Sequence, residues 1–515
     1  MRCNIRLSSG LVSRLFLSFI LTLFLAQSVL AGEARYVFLF IGDGMSVSQA
    51  SAAEMYKASL KDEARPGVAK LNFSTFPAQG MTTTYSTTSL ITDSAAAGTS
   101  LASGVKTYNA AVGVGVDGNS VPTFAEMARD AGMKVGILSS VSLDHATPAA
   151  FYAHQKSRKN YYEIGLELAA SGFDYFAGGG FIDPQGKKSR KDGEKISVTD
   201  AIRKAGYTYV NDKAAFKALT PGSRAVVVAP RLQDSQALPY AIDTAEGDIT
   251  LADMTAKGIE VLDNPKGFFM MVEGGKIDWA CHANDAMAAI GDVLAFEDAV
   301  AEAVKFAARH PAETLIVVTG DHETGGMTLG FSGTKYSTYF SNLKNQKVSY
   351  VAFDEEFDAW RKANSGASFE KISGLIEERF GLKVPSEADL AEMARMEGDA
   401  AYAKTVGSRY DLYLKAFELE DLKAAFARSM GSVKAASEGR DYLLYGGYEP
   451  FSVTLTHLLN QKAGLAWTSY SHTGVPVLTS ATGAGSEMFN GFYDNTDICA
   501  KIIKAMGLSA KVAMN

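Results

Sequence analysis

Seven short apolar runs constrain the fold of this 515-residue chain more than any other feature: Tyr36–Ile41, Met81–Tyr85, Val135–Ser139, Ala225–Ala229, Gly267–Val272, Thr314–Thr319 and Val475–Thr479. Most run on without polar alternation, are flanked by glycine turns and are separated by helical patterns such as Val121–Ala131 and Asp292–Arg309. A strand that is apolar on both sides is buried on both sides, and that is how strands of a largely parallel sheet sit between helices. The pattern predicts an α/β fold of three layers, α/β/α. Ligands of such sheets bind beyond the carboxyl ends of strands, so the residues just after each run are the candidates for chemistry.

From about residue 329 to 449 the texture changes. Glu355–Ala363, Phe369–Phe380, Glu387–Ala403 and Leu412–Met430 read as helices rich in Glu, Lys, Arg and Ala, while β-rich runs become scarce. This predicts a mostly helical insertion in a single catalytic domain over 32–515. Ahead of that domain, Arg2, Arg6 and Arg14 flank the apolar run Leu15–Ala26, and Val29-Leu30-Ala31 offers small residues for cleavage before Gly32. The run is short for a membrane span of about 20 residues, so residues 1–31 are expected to be a signal peptide and the protein periplasmic or secreted, with no stable span after cleavage.

Loss of that segment removes three arginines and no acid and takes the net charge from −7 to −10. Such a balance argues against nucleic acid as a partner, whereas an anionic substrate needs local cations, which metals supply. Cys281 and Cys499 remain, too few for a disulfide framework; the sequence leaves their pairing open.

The loops after the runs carry the chemistry. Thr92-Asp93-Ser94-Ala95-Ala96-Ala97-Gly98 puts a hydroxyl at the first turn of a small-residue helix, where free N–H groups favour an anion. Taken alone, Ser94 reads as an N-cap rather than a nucleophile, and only the acidic and histidine residues clustered at the ends of the other runs reverse that. Gly42-Asp43-Gly44 either presents a carboxylate to a cleft or makes a simple turn. In Thr319-Gly320-Asp321-His322-Glu323-Thr324, a hard oxygen stands beside an imidazole nitrogen, both ligand types that zinc accepts. Glu273 ends another run, and a helix from near Lys276 would set Asp278 and His282 at i and i+4, as a chelating pair or as a surface pair. Thr147 in Asp144-His145-Ala146-Thr147-Pro148 offers an oxygen to magnesium, and Arg158 offers a fork for two phosphate oxygens or a solvated charge. Ser471-His472-Thr473-Gly474 adds an imidazole; His154, His310 and His457 have no comparable setting.

These residues resemble the alkaline phosphatase family. The resemblance rests on Ile41-Gly42-Asp43-Gly44-Met45, Thr92-Asp93-Ser94-Ala95-Ala96, Asp144-His145-Ala146-Thr147-Pro148, Glu273-Gly274-Gly275-Lys276-Ile277-Asp278, Thr319-Gly320-Asp321-His322-Glu323-Thr324-Gly325-Gly326 and Ser471-His472-Thr473-Gly474, in the family's order. It implies hydrolysis of small phosphate monoesters with two zinc ions and one magnesium ion. By the same resemblance Asp278, His282 and His472 hold the first zinc, and Asp43, Asp321 and His322 the second. Asp43 is shared with magnesium, which Glu273 and Thr147 complete. Ser94 is then the nucleophile that becomes a phosphoserine, Arg158 binds the phosphate, and a homodimer is left open.

Two positions depart from some bacterial members, which have aspartate at His145 and lysine at Trp279. Both residues are expected beside the ligands, and the missing cation at 279 is expected to loosen the hold on product phosphate. Among rivals, a sulfatase needs a Cys/Ser-x-Pro-x-Arg setting that Ala95-Ala96-Ala97 does not give. A phosphodiesterase fits the metals equally, but Arg158 favours a substrate with two free terminal oxygens. A non-catalytic exported metal- or phosphate-binding protein would lack the nucleophile or some ligands, and no expected position is empty.

Overall fold

The strands are, in chain order, Tyr36–Gly42 (β1), Ala78–Thr83 (β2), Lys134–Ser139 (β3), Tyr175–Gly178 (β4), Thr208–Val210 (β5), Ala225–Val228 (β6), Phe268–Gly274 (β7), Thr314–Gly320 (β8), Glu323–Thr324 (β9), His472–Thr473 (β10), Val477–Gly483 (β11) and Gly491–Asp494 (β12). Ten of them form one sheet in the order β12-β2-β11-β8-β1-β7-β3-β4-β6-β5, and β9 pairs with β10 apart from it. Within the sheet only β11 runs against its neighbours, β2 and β8. The computed structural model describes residues 33–63, 65–189, 195–431 and 438–508. The expected signal peptide over 1–31 lies outside the described residues.

Both faces of the sheet are buried, as the unbroken apolar runs require. Side chains alternate across a strand, so Tyr36, Phe38 and Phe40 enter one core with Phe268, Met270 and Val272, while Val37, Leu39 and Ile41 enter the other with Phe269 and Met271. The first core is covered by the helices Val47–Ser59, Leu251–Leu262 and Ala286–Ala307, the second by Phe124–Asp130, Tyr161–Ala170 and Asn495–Ala505. This is the three-layer α/β/α arrangement. Phe38 shows what holds it: the ring meets Phe40, Phe268 and Phe306 at centroid distances of 6.3, 5.2 and 5.8 Å. Truncating such a ring to alanine costs about 3–5 kcal/mol.

Register carries the fold into function. Gly42 pairs with Gly274 and with Gly320, so β1, β7 and β8 end at one level and release Asp43 and Asp321 side by side, with Glu273 opposite Ile41. Two glycines are required there. Gly44 has φ +71°, and a Cβ on it would lie 2.8 Å from the Cα of Asp278; a Cβ on Gly320 would lie 2.1 Å from the Met45 carbonyl oxygen.

Strand positions differ from the sequence reading at the sheet's irregular end. The run read as Val475–Thr479 becomes Val477–Gly483, because Pro476 has no N–H for a ladder and Val475 stays half exposed. The run read as Met81–Tyr85 starts earlier, at Ala78, and stops at Thr83. β4, β5 and β12, at three or four residues each, were too short to give a periodic signal.

Between β9 and β10 the regular elements among the described residues are helices, with isolated bridges at Thr328↔Ala466 and Lys383↔Tyr413. The single helix expected over Glu387–Ala403 is two, Glu387–Gly398 and Ala400–Val406. Asp399 divides them: its backbone is extended and its carboxylate accepts from the N–H groups of Ala401 and Tyr402, capping the second helix. Phe353, Phe357 and Phe451 of this stretch belong to the same continuous core as Phe38, so the helices pack onto the sheet layer.

Candidate active site and metal centre

Ser94 opens the helix Ser94–Ser103, behind an Asp93 cap whose carboxylate accepts from the Ala96 N–H at 3.0 Å. The serine is buried, and its Oγ lies 3.2 Å from Nε2 of His322. Arg158 approaches the same helix end. One guanidinium nitrogen donates to Asp93 at 3.1 Å and another to Nε2 of His145 at 3.3 Å, so the fork is held from two sides.

Around Ser94, three groups of side chains bring one ligand atom each to within 4.8 Å of one another: Asp278, His322 and His472; Asp43, Asp321 and His322; Asp43, His145 and Glu273. Each carboxylate is positioned by its element. The Asp321 Oδ1 accepts from the N–H groups of Gly44 and His322, the Asp278 Oδ1 accepts from Thr324 at 2.5 Å, and Glu273 accepts from Ser139 across the β3–β7 pair. Thr147 donates to the Asp43 Oδ2 at 3.3 Å.

The imidazoles are turned inward by what stands behind them. Nδ1 of His282 faces the Tyr470 carbonyl at 2.7 Å, and Nδ1 of His472 faces the Thr92 carbonyl at 2.8 Å. A proton held there leaves each Nε2 lone pair for the site. Those two Nε2 atoms lie 3.1 Å apart, and His282 Nε2 is 3.4 Å from Asp278. Two lone pairs aimed at each other call for a proton or a cation between them.

The carboxylates make the same demand. Asp43 Oδ1, Asp321 Oδ2 and Glu273 Oε1 are buried without a hydrogen-bond partner. Burial, then mutual repulsion with Asp321, Asp278 and Glu273, pushes the Asp43 carboxyl well above its ordinary range. Asp321 is raised by burial and by Asp278, and burial lifts Glu273 to about 7. Asp278 also meets a burial penalty, but His282, His472 and His322 outweigh it and hold the carboxyl low. Buried anions of this density are stable only when paired, and divalent cations fit the mixed oxygen and imidazole set. Burial disfavours a proton on His282, but Asp278 outweighs it and lifts the group to about 9.

The structure therefore brings together Asp43, Ser94, His145, Thr147, Arg158, Glu273, Asp278, His282, Asp321, His322 and His472. His145 sits closer than expected, grouped with Asp43 and Glu273. Burial and the adjacent Arg158 depress it to about 3, so it is a neutral imidazole. Trp279 lies edge-on to it at 5.6 Å, with the buried Lys276 ammonium 5.2 Å from the indole. The supports missed in the sequence are Ser139, Thr324 and Asp93. Thr324 and Asp93 stood inside quoted motifs, whereas nothing local distinguished Ser139. His154, His310 and His457 lie outside the groups, as does His282, which joins them only through its contacts with His472 and Asp278; Cys281 and Cys499 are both free and buried.

A family model described as alkaline phosphatase matches residues 34–508. The chain belongs to the alkaline phosphatase family. Among curated relatives, alkaline phosphatase 4 of Bacillus subtilis is 32% identical over 484 residues, covering 92% of this chain and 89% of its own. Among solved structures, a cold-active alkaline phosphatase from a Shewanella species has a TM-score of 0.70 at 26% identity, covering 92% of this chain and 99% of its own. The alkaline phosphatase of Thermus thermophilus gives 0.71 at 25% identity, with 92% of both chains covered. Alkaline phosphatases are metal-dependent phosphoric monoester hydrolases, and the grouped carboxylates and imidazoles of this member could hold metal ions.

Proposed function

We propose that this alkaline phosphatase works through a covalent phosphoserine on Ser94, with two zinc ions and one magnesium ion. Asp278, His282 and His472 would hold one zinc and Asp43, Asp321 and His322 the other; Asp43, Thr147 and Glu273 would hold magnesium, with His145 beside it. When bound, such cations supply Lewis acidity to the attacking and departing oxygens of an in-line displacement. The observation that carries the reading is the buried Ser94 hydroxyl at a helix start, 3.2 Å from His322 and beside the Arg158 fork.

The chain's own residues account for binding and attack. Arg158 presents two N–H groups to the terminal oxygens of a monoester dianion, and the free N–H groups of the Ser94 helix stabilise charge on the phosphoryl group. Ser94 Oγ loses its proton and bonds to phosphorus as the bond to the alcohol oxygen breaks; that oxygen takes a proton and the alcohol departs. Water then enters from the vacated side, breaks the bond from phosphorus to Oγ, and returns a proton to Ser94 as phosphate leaves. Arg158 favours two free terminal oxygens, which suits a monoester better than a diester.

In the same reading residues 1–31 direct export to the periplasm or beyond and are removed. No helix among the described residues is long and apolar enough to cross a membrane. The helical stretch over about 329–449 is an insertion that forms a rim to the site, and a homodimer is compatible with it. The test is to trap the intermediate: protein incubated with labelled phosphomonoester at mildly acid pH, quenched and digested, should carry label on Ser94. Turnover with no label on Ser94 would overturn the covalent route.

A further inference from the structure

The site has an open side and a closed side. Ser94, Asp43 and His322 are buried, while the side chain of His282 is 26% exposed and that of His472 is 13% exposed. In an in-line displacement the alcohol leaves opposite the nucleophile, so, resting on the proposed role of Ser94, it leaves past these two histidines. Three tyrosines stand there.

Tyr470 joins the site through its backbone, because its carbonyl faces Nδ1 of His282. Its ring is flanked by two rings from the stretch before it, Tyr442 at 6.0 Å and Tyr448 at 6.3 Å between centroids, the second inclined by only 35°. The Tyr442 hydroxyl is 3.4 Å from that of Ser471, next to His472, and the Tyr470 hydroxyl donates to the Leu444 carbonyl at 2.6 Å. These contacts fasten the helix Gly439–Tyr445 to the histidine loop. All three tyrosines are half-buried, Tyr448 also meeting Tyr350 and Tyr470 also meeting His457. Beyond them, Leu443 is 78% exposed, and the ion pairs formed by the described residues of the helix are confined to Asp441 with Arg428. The rim at this point sets rings and Leu443 beside the exposed Arg440 and the Asp441–Arg428 pair.

We infer that Tyr442, Tyr448 and Tyr470 form a binding site for the alcohol half of the substrate and favour monoesters whose alcohol carries a flat aromatic ring, a nucleoside being a fitting case. A ring stacked on such side chains gains in binding without any base-specific hydrogen bond. Phosphoryl chemistry is unaffected by that contact, so the preference belongs in substrate binding.

The decisive comparison uses two substrates that release the same primary hydroxyl, adenosine 5′-monophosphate and ribose 5-phosphate. The metal-loaded enzyme should favour the nucleotide in kcat/KM by about tenfold, within the range of a single base–aromatic stack. Tyr442→Ala and Tyr448→Leu should each cut that ratio by about threefold to fivefold through KM for the nucleotide, and Tyr442→Phe should preserve it. Saturation-transfer NMR with adenosine alone should show the purine protons in contact with the wild-type protein and lose the effect in Tyr442→Ala. Equal kcat/KM for the two substrates, or a ratio untouched by the alanine and leucine variants, would overturn the site while leaving the phosphatase reading intact. Hydrolysis of neither substrate by the loaded wild-type enzyme would instead defeat the phosphatase reading itself.

Discussion

The strand-end loops and the helical stretch before His472 reach the same cleft on different plans. At the strand ends, three strands stop in register and release charged side chains into the buried floor of the cleft, fixed by glycines that tolerate no Cβ. The helical stretch offers partly buried rings that reach the histidine loop through Tyr470 and Ser471. The lesson is a division of labour: groups that must hold charge are set by the sheet, and groups that meet the variable part of a substrate are set by helices outside it. Removing a part of the first should be catastrophic for chemistry, and removing a part of the second should change preference.

The largest effect should come from Ser94. Ser94→Ala should lower kcat by at least on the order of a thousandfold with an unchanged circular dichroism spectrum, since no other hydroxyl occupies the helix start. A smaller loss would place the nucleophile elsewhere and blur the comparison. Arg158→Ala should follow, with kcat/KM for monoesters down by about tenfold to a hundredfold and inhibition by inorganic phosphate weakened in parallel, because a bidentate contact is lost from ground state and transition state alike.

Metal removal should expose the cost of the buried charges. In the stripped protein, Glu273 titrates at about 7 when folded against an unfolded value near 4.5, so the folded state binds the extra proton. Its destabilising contribution is absent below the unfolded value and grows as pH rises toward and past 7, reaching on the order of 3 kcal/mol. The gap in melting temperature between metal-loaded and chelated enzyme should therefore be wider at pH 8 than at pH 5, because the proton that Glu273 keeps at low pH competes with the metal, while His145, neutral in both forms, cancels from the difference. Parallel pH profiles for the two forms would mean that the carboxylates are not the metal ligands. The smallest effect is expected at Trp279. Trp279→Lys, which adds a cation near His145 and Arg158, should tighten phosphate inhibition by a few-fold; unchanged inhibition would remove the indole from any part in product release.

Much of this division can be read from the amino-acid order. The strands that carry the site are the long ones with both faces buried, and Tyr36–Gly42, Phe268–Gly274 and Thr314–Gly320 announce themselves because seven consecutive buried residues leave a clear apolar run. Asp43, Glu273, Asp321 and His322 follow at the ends of those runs, where each alone reads as turn or loop polarity and only their recurrence at several strand ends singles them out. The supports are less legible. Ser139 matters only because β3 lies beside β7, and the carbonyls of Thr92 and Tyr470 matter only because of where His472 and His282 fold back; pairing across well over a hundred residues leaves no local trace. The break at Asp399 and the start of β11 after Pro476 were recoverable in principle from capping and from the missing N–H. The tyrosine rim was not, because Tyr442 and Tyr448 meet Tyr470 only through the packing of the whole helical stretch.

Cations gathered around Ser94 are the centre of the proposed mechanism. Anomalous diffraction from crystals grown with zinc, recorded on either side of the zinc absorption edge, tests it directly. It predicts two peaks, one among Asp278, His282 and His472 and one among Asp43, Asp321 and His322. Density with the carboxylates and imidazoles swung apart and no peak among them would contradict it.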